Sequence, residues 1–309
     1  MIPFNVQIAF AVIFGLLILA SLITQFLKKT KPEKNYTELQ LRIKTWWIIV
    51  LVFAGSVLLG RTYSAIIWGL ISFLAFKEYL SLIPTRRADH RVLLWAYLAI
   101  PLQYYWVNIA WYGMFIIFIP VFVFLFLPMR MILIGETEGF LRAIGTLQWG
   151  LMITVFSLSH AAYLLVLPDN INPIANSMGL LIYLVFLTEI NDVAQYIWGK
   201  SFGKKKIVPK VSPNKTVMGF LGGILTTMLL ATVLAPYLTP LTLYEAIGAG
   251  FLIGLGGFVG DVTISAVKRD LGVKDSGTLL PGHGGILDRL DSLTYTTPLF
   301  FHYIYYLHY

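Results

Sequence analysis

PFNVQIAFAVIFGLLILASLITQFL, residues 3–27, runs for 25 residues without a charged side chain. About 20 mostly apolar residues carry a helix across the hydrocarbon core of a bilayer. Only a helix or a closed barrel satisfies its own backbone there. The run has no basic n-region and no small-residue cleavage site, so it reads as a retained helix and not as a signal peptide. Comparable runs recur at 45–60, 62–83, 92–108, 113–134, 146–167, 177–197, 217–238, 245–266 and 293–309. Ten spans is the best count. Eight or nine stay open, because 45–60 and 293–309 are short and only a Trp/Tyr-rich pause at Asn108–Tyr112 parts two of the others. The runs are too long and too uniformly apolar for barrel strands, which alternate over about 10 residues. The expected fold is an all-α polytopic integral membrane protein.

Composition agrees. Of 309 residues, 58% are hydrophobic and 12% charged, against roughly 25% charged in soluble domains. A soluble monomer, a collagen-like rod and a disordered chain are excluded. The absence of cysteine removes disulfides, thiolate catalysis and Cys-based metal sites. The net charge of +8 reads first as topogenic charge rather than as a nucleic-acid footprint. The gaps at 28–44, 84–91, 128–145, 198–216 and 267–292 hold 21 of the Lys and Arg residues, including Lys34 and Arg87, and the alternate gaps hold only Arg61. By the positive-inside rule those five gaps are cytoplasmic and both termini lie outside. The aromatic clusters at the helix ends, Trp46-Trp47 among them, read as interfacial anchors. No soluble domain is inserted, and no internal repeat suggests an inverted-repeat transporter.

Three acids fall inside apolar runs: Glu189 and Asp192 near the end of the seventh, and Asp261 near the end of the ninth. Glu189 and Asp192 are three apart and share a helix face. A carboxylate at membrane depth costs several kcal/mol unless it is paired, hydrated or metal-bound, so it points to function. The bland alternative is that one or more simply ends a helix at the water interface. The ninth run is also dense in glycine. Close helix packing explains Gly250 and Gly254, while Gly257 and Gly260, beside Asp261, could also admit a ligand.

Two loops flank these acids. In 198–219, WGKSFGKKKIVPKVSPNKTVMG, Lys200, Lys204, Lys205, Lys206, Lys210 and Lys215 are interleaved with Gly and Pro. Lysines suit phosphate oxygens, Ser212 and Thr216 add hydroxyls, and Ser212-Pro213-Asn214 reads as a helix start. In 265–291, SAVKRDLGVKDSGTLLPGHGGILDRLD, Lys268, Arg269, Lys274 and Arg289 mingle with Asp270, Asp275, Asp288 and Asp291 around Gly282-His283-Gly284-Gly285. A glycine-rich turn can aim backbone N–H groups at an anion, and acids with cations in one loop suit a magnesium–phosphate site. No HExxH, Walker A or GxSxG motif is present. Chemistry alone therefore points to a membrane enzyme acting on a phosphorylated or nucleotide substrate at the cytoplasmic surface.

The second loop, read as Ser265-x-Val267-Lys268-Arg269, then Lys274-Asp275-x-Gly277, then Leu280-Pro281-x-His283-Gly284-Gly285-Ile286-x-Asp288-Arg289-Leu290-Asp291, resembles the signature of the CDP-diacylglycerol synthase (phosphatidate cytidylyltransferase) family at every fixed position. Asn191-Asp192-xx-Gln195-Tyr196-xx-Gly199-xx-Phe202-Gly203-Lys204 and Ser212-Pro213-Asn214-Lys215-Thr216-xx-Gly219 resemble two further blocks of that family. The resemblance implies variable N-terminal helices over 1–176 and a catalytic region over 177–309. The expected reaction joins CTP and phosphatidate into CDP-diacylglycerol and pyrophosphate, with Mg²⁺ and a second, monovalent cation such as K⁺.

By the same resemblance Asp261 and Asp288 hold the metal and Lys268 acts with them in catalysis. Substrate contacts are expected from Asn191, Asp192, Lys204, Ser212, Lys215, Thr216, Ser265, Arg269, Lys274, His283 and Arg289. Membrane lipid is the expected partner and nucleic acid is not. A homodimer is left open, and the expected location is a bacterial-type inner membrane. One departure stands out: the family usually reads Thr-Trp-Glu-Gly where this chain has Thr216-Val217-Met218-Gly219. Met218 replaces an acid, which bears on nucleotide handling and on the lipid accepted and marks a divergent paralogue. The competing reading is a family member that has lost catalysis and binds or moves lipids or anions.

Overall fold

Ten long helices, and no strand among the described residues, build the chain. The computed structural model describes residues 2–31, 33, 35–86 and 89–309. Lys34 and Arg87, counted among the basic charges, lie outside the described residues. The helices are α1 (Phe4–Thr30), α2 (Thr37–Leu58), α3 (Arg61–Leu82), α4 (His90–Asn108), α5 (Tyr112–Ile132), α6 (Phe140–Leu164), α7 (Asn176–Phe202), α8 (Val217–Leu238), α9 (Leu243–Asp270) and α10 (Leu293–His308). Eight of them are long and apolar enough to cross a membrane. The other two are α4, which is less apolar, and α10, which has only 16 residues. The protein is an all-α polytopic membrane protein.

Each apolar run predicted from the sequence lies within or closely overlaps one helix, but several helices outlast their runs. The second begins at Thr37 instead of 45, the seventh continues to Phe202, and the ninth continues to Asp270. Hydropathy locates the lipid-embedded part, whereas a helix continues through polar residues until its caps fail. The Trp/Tyr pause is a true break: α4 stops at Asn108, and Ala110 turns the chain with φ of 56°. Inside α5 and α6, turns of π-helix at Phe118–Val123 and Met152–Phe156 widen the ladder. The first of these contains Pro120, which has no N–H to donate.

Packing concentrates in the C-terminal half. Helix α7 lies most extensively against α8, and α8 against α9. At Gly250 and Gly254 a side chain would run into the backbone of Met228 and Ile224, so small residues there let α8 and α9 close on each other. Gly257 and Gly260 serve the same purpose: Asn191 fills the space beside the first, and the Asp291–Ser292 backbone lies against the second. The expectation that these two glycines open room for a ligand is therefore corrected. Helix α9 starts with a capping box, in which Glu245 accepts from the backbone and hydroxyl of Thr242 at 2.8 and 2.9 Å. Helix α8 is capped by Thr216, whose Oγ1 accepts from the Gly219 N–H at 3.1 Å. The helix start expected at Ser212-Pro213-Asn214 thus falls four residues later. Those residues instead form a turn, with the Ser212 N–H donating to the Val208 carbonyl and the Lys215 N–H to the Ser212 carbonyl.

Candidate active site

The C-terminal ends of α7 and α9 and the N-terminal ends of α8 and α10 converge on a group of carboxylates. Asp261 on α9 forms an ion pair with Lys215, just before α8, and accepts from the Ser265 hydroxyl one turn on at 3.3 Å. Lys215 also donates to the Gln195 side chain on α7 at 2.9 Å. Asp192, one turn back on α7, accepts from the Ser292 hydroxyl at 2.9 Å through Oδ2, and its Oδ1 is buried without a partner. Asp291 follows the single helical turn Leu287–Leu290. It lies close enough to Asp261 and Asp192 that burial first, and then those two charges, hold its pKa well above the usual carboxylate range. Glu189 stands beside Asp192, with Arg289 near both.

A second ion pair borders the first. Lys268, in the last turn of α9, donates to Asp288 at 2.7 Å, and its charge also reaches Asp291. The other oxygen of Asp288 accepts the backbone N–H groups of Ser276 and Gly285 at 2.8 and 3.1 Å. Burial raises the pKa of Asp288, but Lys268 and those two amides outweigh it and hold the carboxyl below its ordinary range. Positive φ angles at Gly282 (77°) and Gly284 (83°) shape this turn. The sequence suggested amides aimed at a bound anion; the anion they meet is the protein's own Asp288.

Beneath the same loop lies a residue that the sequence reading passed over. Glu78, near the end of α3, accepts the N–H groups of Ile286 and Leu287 at 3.0 and 2.9 Å and also the hydroxyl of Ser276. A side chain at Gly285 would collide with it, so the glycine is required by close approach. Its signal was available: an acid on an otherwise apolar helix, masked by its nearness to the helix end and to Lys77. Asp291 was read only as one of four loop acids, and Gln195 only as a letter of a motif.

The remaining expected residues divide clearly. Asn191 is fully buried, donating to the Gly254 carbonyl at 3.3 Å and accepting from Thr227 at 3.2 Å, so it ties α7 to α8 and α9. Thr216 is buried with its oxygen used as a helix cap. Arg269 donates to the Val211 carbonyl at 3.3 Å, joining the two basic loops. Lys204 and Lys274 are exposed and Ser212 is half-buried. His283 packs its ring edge-on to Trp46 of α2, with centroids 5.9 Å apart. Burial, and then the charges of Arg289 and Arg42, lower its pKa.

Asp261 and Asp288 do not stand together with a third ligand. No group of three or more His, Asp or Glu side chains among the described residues has a metal-holding arrangement, and a lysine pairs with each of these two acids. The donor chemistry still suits a hard cation. Carboxylate oxygens crowd one region, and the buried Oδ1 of Asp192 has no other partner.

The fold defines an all-α polytopic membrane protein in which acids and lysines from the two loops gather beside α7 and α9. The sequence profile of the Cytidylyltransferase family matches residues 40–307, and the chain belongs to that family. An uncharacterized protein of Escherichia coli (strain K12), YnbB, is 48% identical over 296 residues, covering 96% of this chain and 97% of that one. The phosphatidate cytidylyltransferases of Staphylococcus aureus (strain COL) and Haemophilus influenzae are 38% and 42% identical over 120 and 136 residues. Those two matches cover 38% and 42% of this chain and 46% and 47% of the enzymes, so they span about half of each enzyme's length.

Proposed function

We propose that the protein transfers the cytidylyl group of CTP to phosphatidate at the cytoplasmic face of the membrane, giving CDP-diacylglycerol and pyrophosphate. The observation that carries this reading is the pair of lysine–carboxylate contacts, Lys215 with Asp261 and Lys268 with Asp288, beside the Asp192–Asp291 pair. An oxygen of the lipid phosphate bonds to the α-phosphorus of CTP, and the bond to the β-phosphate oxygen breaks, its electron pair leaving with pyrophosphate. The attacking oxygen is already ionised near neutrality, so the chain needs no strong base. Its tasks are to position two anions and to balance their charge. Lys215 and Lys268 can turn from their carboxylates to phosphate oxygens. Arg269, Lys204 and the rest of the six-lysine loop add positive charge along the nucleotide's approach, while Asn191 and Thr216 keep the helices that carry these groups in register. Asp261 and Asp288, the pair the family resemblance assigns to Mg²⁺, could offer it oxygens once Lys215 and Lys268 have turned to phosphate, and the free oxygen of Asp192 would be a further donor near Asp261. Bound there, the ion would draw charge from the phosphates as a Lewis acid. A monovalent cation such as K⁺ would find carbonyl and carboxylate oxygens in the same region.

A second reading, a family member that binds or moves anionic lipid without catalysis, is favoured by one feature: Met218, exposed at the start of α8, stands where the family usually has an acid. Purified protein given labelled CTP, phosphatidate and Mg²⁺ separates the two readings. Label in a lipid product with release of pyrophosphate supports transfer. Absence of both, from protein that still binds phosphatidate, supports the second reading.

A further inference from the structure

Helix α2 meets the signature loop at a pocket of about 510 Å³ lined by Arg42, Trp46, Asp275, His283 and Arg289 and floored by the glycine turn. The contact is built in. The Thr45 hydroxyl donates to the Pro281 carbonyl at 2.8 Å, and Trp46 lies edge-on to His283. A Cβ on Gly282 would press against the Arg42 stem at 3.3 Å. Arg42 bonds to Glu38 one turn back at 2.6 Å, but both side chains are more than half exposed, 54% and 73%. Such a pair is worth about 0–1 kcal/mol, so the guanidinium is readily recruited by a better anion.

The lining favours one kind of anion. Two guanidiniums and one carboxylate, Asp275, line the pocket beside a half-buried His283, and Arg42 is countered by the exposed Glu38, which a bound anion would replace. That balance matches the modest charge of a phosphate monoester, whereas a triphosphate is better matched by the six lysines of the 200–215 loop. The forked guanidinium grips phosphate oxygens in pairs. The placement is that of a lipid headgroup: Trp46 opens the apolar part of α2, where indoles settle at the membrane interface, and Arg42 sits one turn above it. Arg289 lines this pocket and lies near enough to Glu189 and Asp192 for its charge to act on both.

We propose that Arg42 and Trp46 of α2, with His283 and Arg289 of the loop, form the subsite that binds the phosphate headgroup of the acceptor lipid and delivers it towards the carboxylate–lysine cluster. The assignment rests on the transferase reading for the identity of the lipid. Its test, however, is binding without CTP or Mg²⁺. Titrate the detergent-solubilised full-length protein with dioctanoyl phosphatidate, and in parallel with glycerol 3-phosphate, by calorimetry. Wild type is expected to bind the lipid much more tightly than glycerol 3-phosphate. Arg42→Ala is expected to weaken lipid binding about tenfold, and Arg42→Lys by less, because charge remains but the fork is lost. In turnover, Arg42→Ala is expected to raise KM for phosphatidate and leave KM for CTP unchanged. Equal lipid binding by wild type and Arg42→Ala, equal binding of glycerol 3-phosphate and lipid, or a parallel rise in KM for CTP would each overturn the assignment. A protein that binds phosphatidate through Arg42 yet makes no CDP-diacylglycerol would sink the transferase reading while leaving this subsite standing.

Discussion

At the scale of single residues, the site is a set of carboxylates, most of which already have a partner. Asp261 and Asp288 are held by Lys215 and Lys268, while Asp192 keeps one oxygen free. Asp261→Asn keeps the shape but removes the charge, so kcat is expected to fall by about 100-fold or more, the scale seen when one electrostatic contact to reacting groups is lost. An unchanged thermal midpoint would show that the fold survives, and near-normal kcat would remove Asp261 from the chemistry. Glu78 tests a different role. Glu78→Ala leaves two backbone N–H groups and a hydroxyl without their acceptor, a cost of about 1–3 kcal/mol. Trypsin cleavage at Lys274 and Arg289 should speed up, with Glu78→Gln intermediate; cleavage at the wild-type rate would show that the loop does not depend on this clamp. The sequence exposed Asp261 because a charge in an apolar run is conspicuous. It hid Glu78 because the acid lies near a helix end, and its partners, two backbone N–H groups and a hydroxyl, are more than 190 positions away.

At the scale of elements, glycine decides how close the helices come. Gly260 faces the Asp291–Ser292 backbone, so a side chain there pushes α9 away from the segment carrying Asp291. Gly260→Ala is expected to cost about 1–3 kcal/mol, in line with overpacking of a close contact, and to lower activity more than the same change at Gly145, where nothing stands within 4 Å. Comparing the melting midpoint and kcat of Gly260→Ala with those of wild type checks this, and an unaffected protein would show that the contact has slack. Element positions were largely legible because hydropathy reports burial in lipid directly. Element ends were not, since α2, α7 and α9 continue as helix through polar turns. Nor could spacing alone show that the Gly-His-Gly-Gly turn spends its amides on Asp288.

At the scale of the molecule, the N-terminal helices are joined to the C-terminal site by Thr45, Trp46 and Glu78. The sequence offered no reason for those helices beyond hydrophobicity, because each contact joins residues more than 190 positions apart, two of them through backbone atoms. Orientation follows from charge: a cysteine placed at Asn170 should react with an impermeant thiol reagent from outside intact cells, and one at Lys205 only after permeabilisation. The reverse pattern would invert the protein and put the site on the wrong side for CTP. The most direct test of the account is the transfer itself, with purified wild type and Asp261→Asn compared on labelled CTP, phosphatidate and Mg²⁺. The account predicts labelled CDP-diacylglycerol and an equal amount of pyrophosphate from wild type and almost none from Asp261→Asn. Equal product from both, or none from a folded wild type, would contradict it.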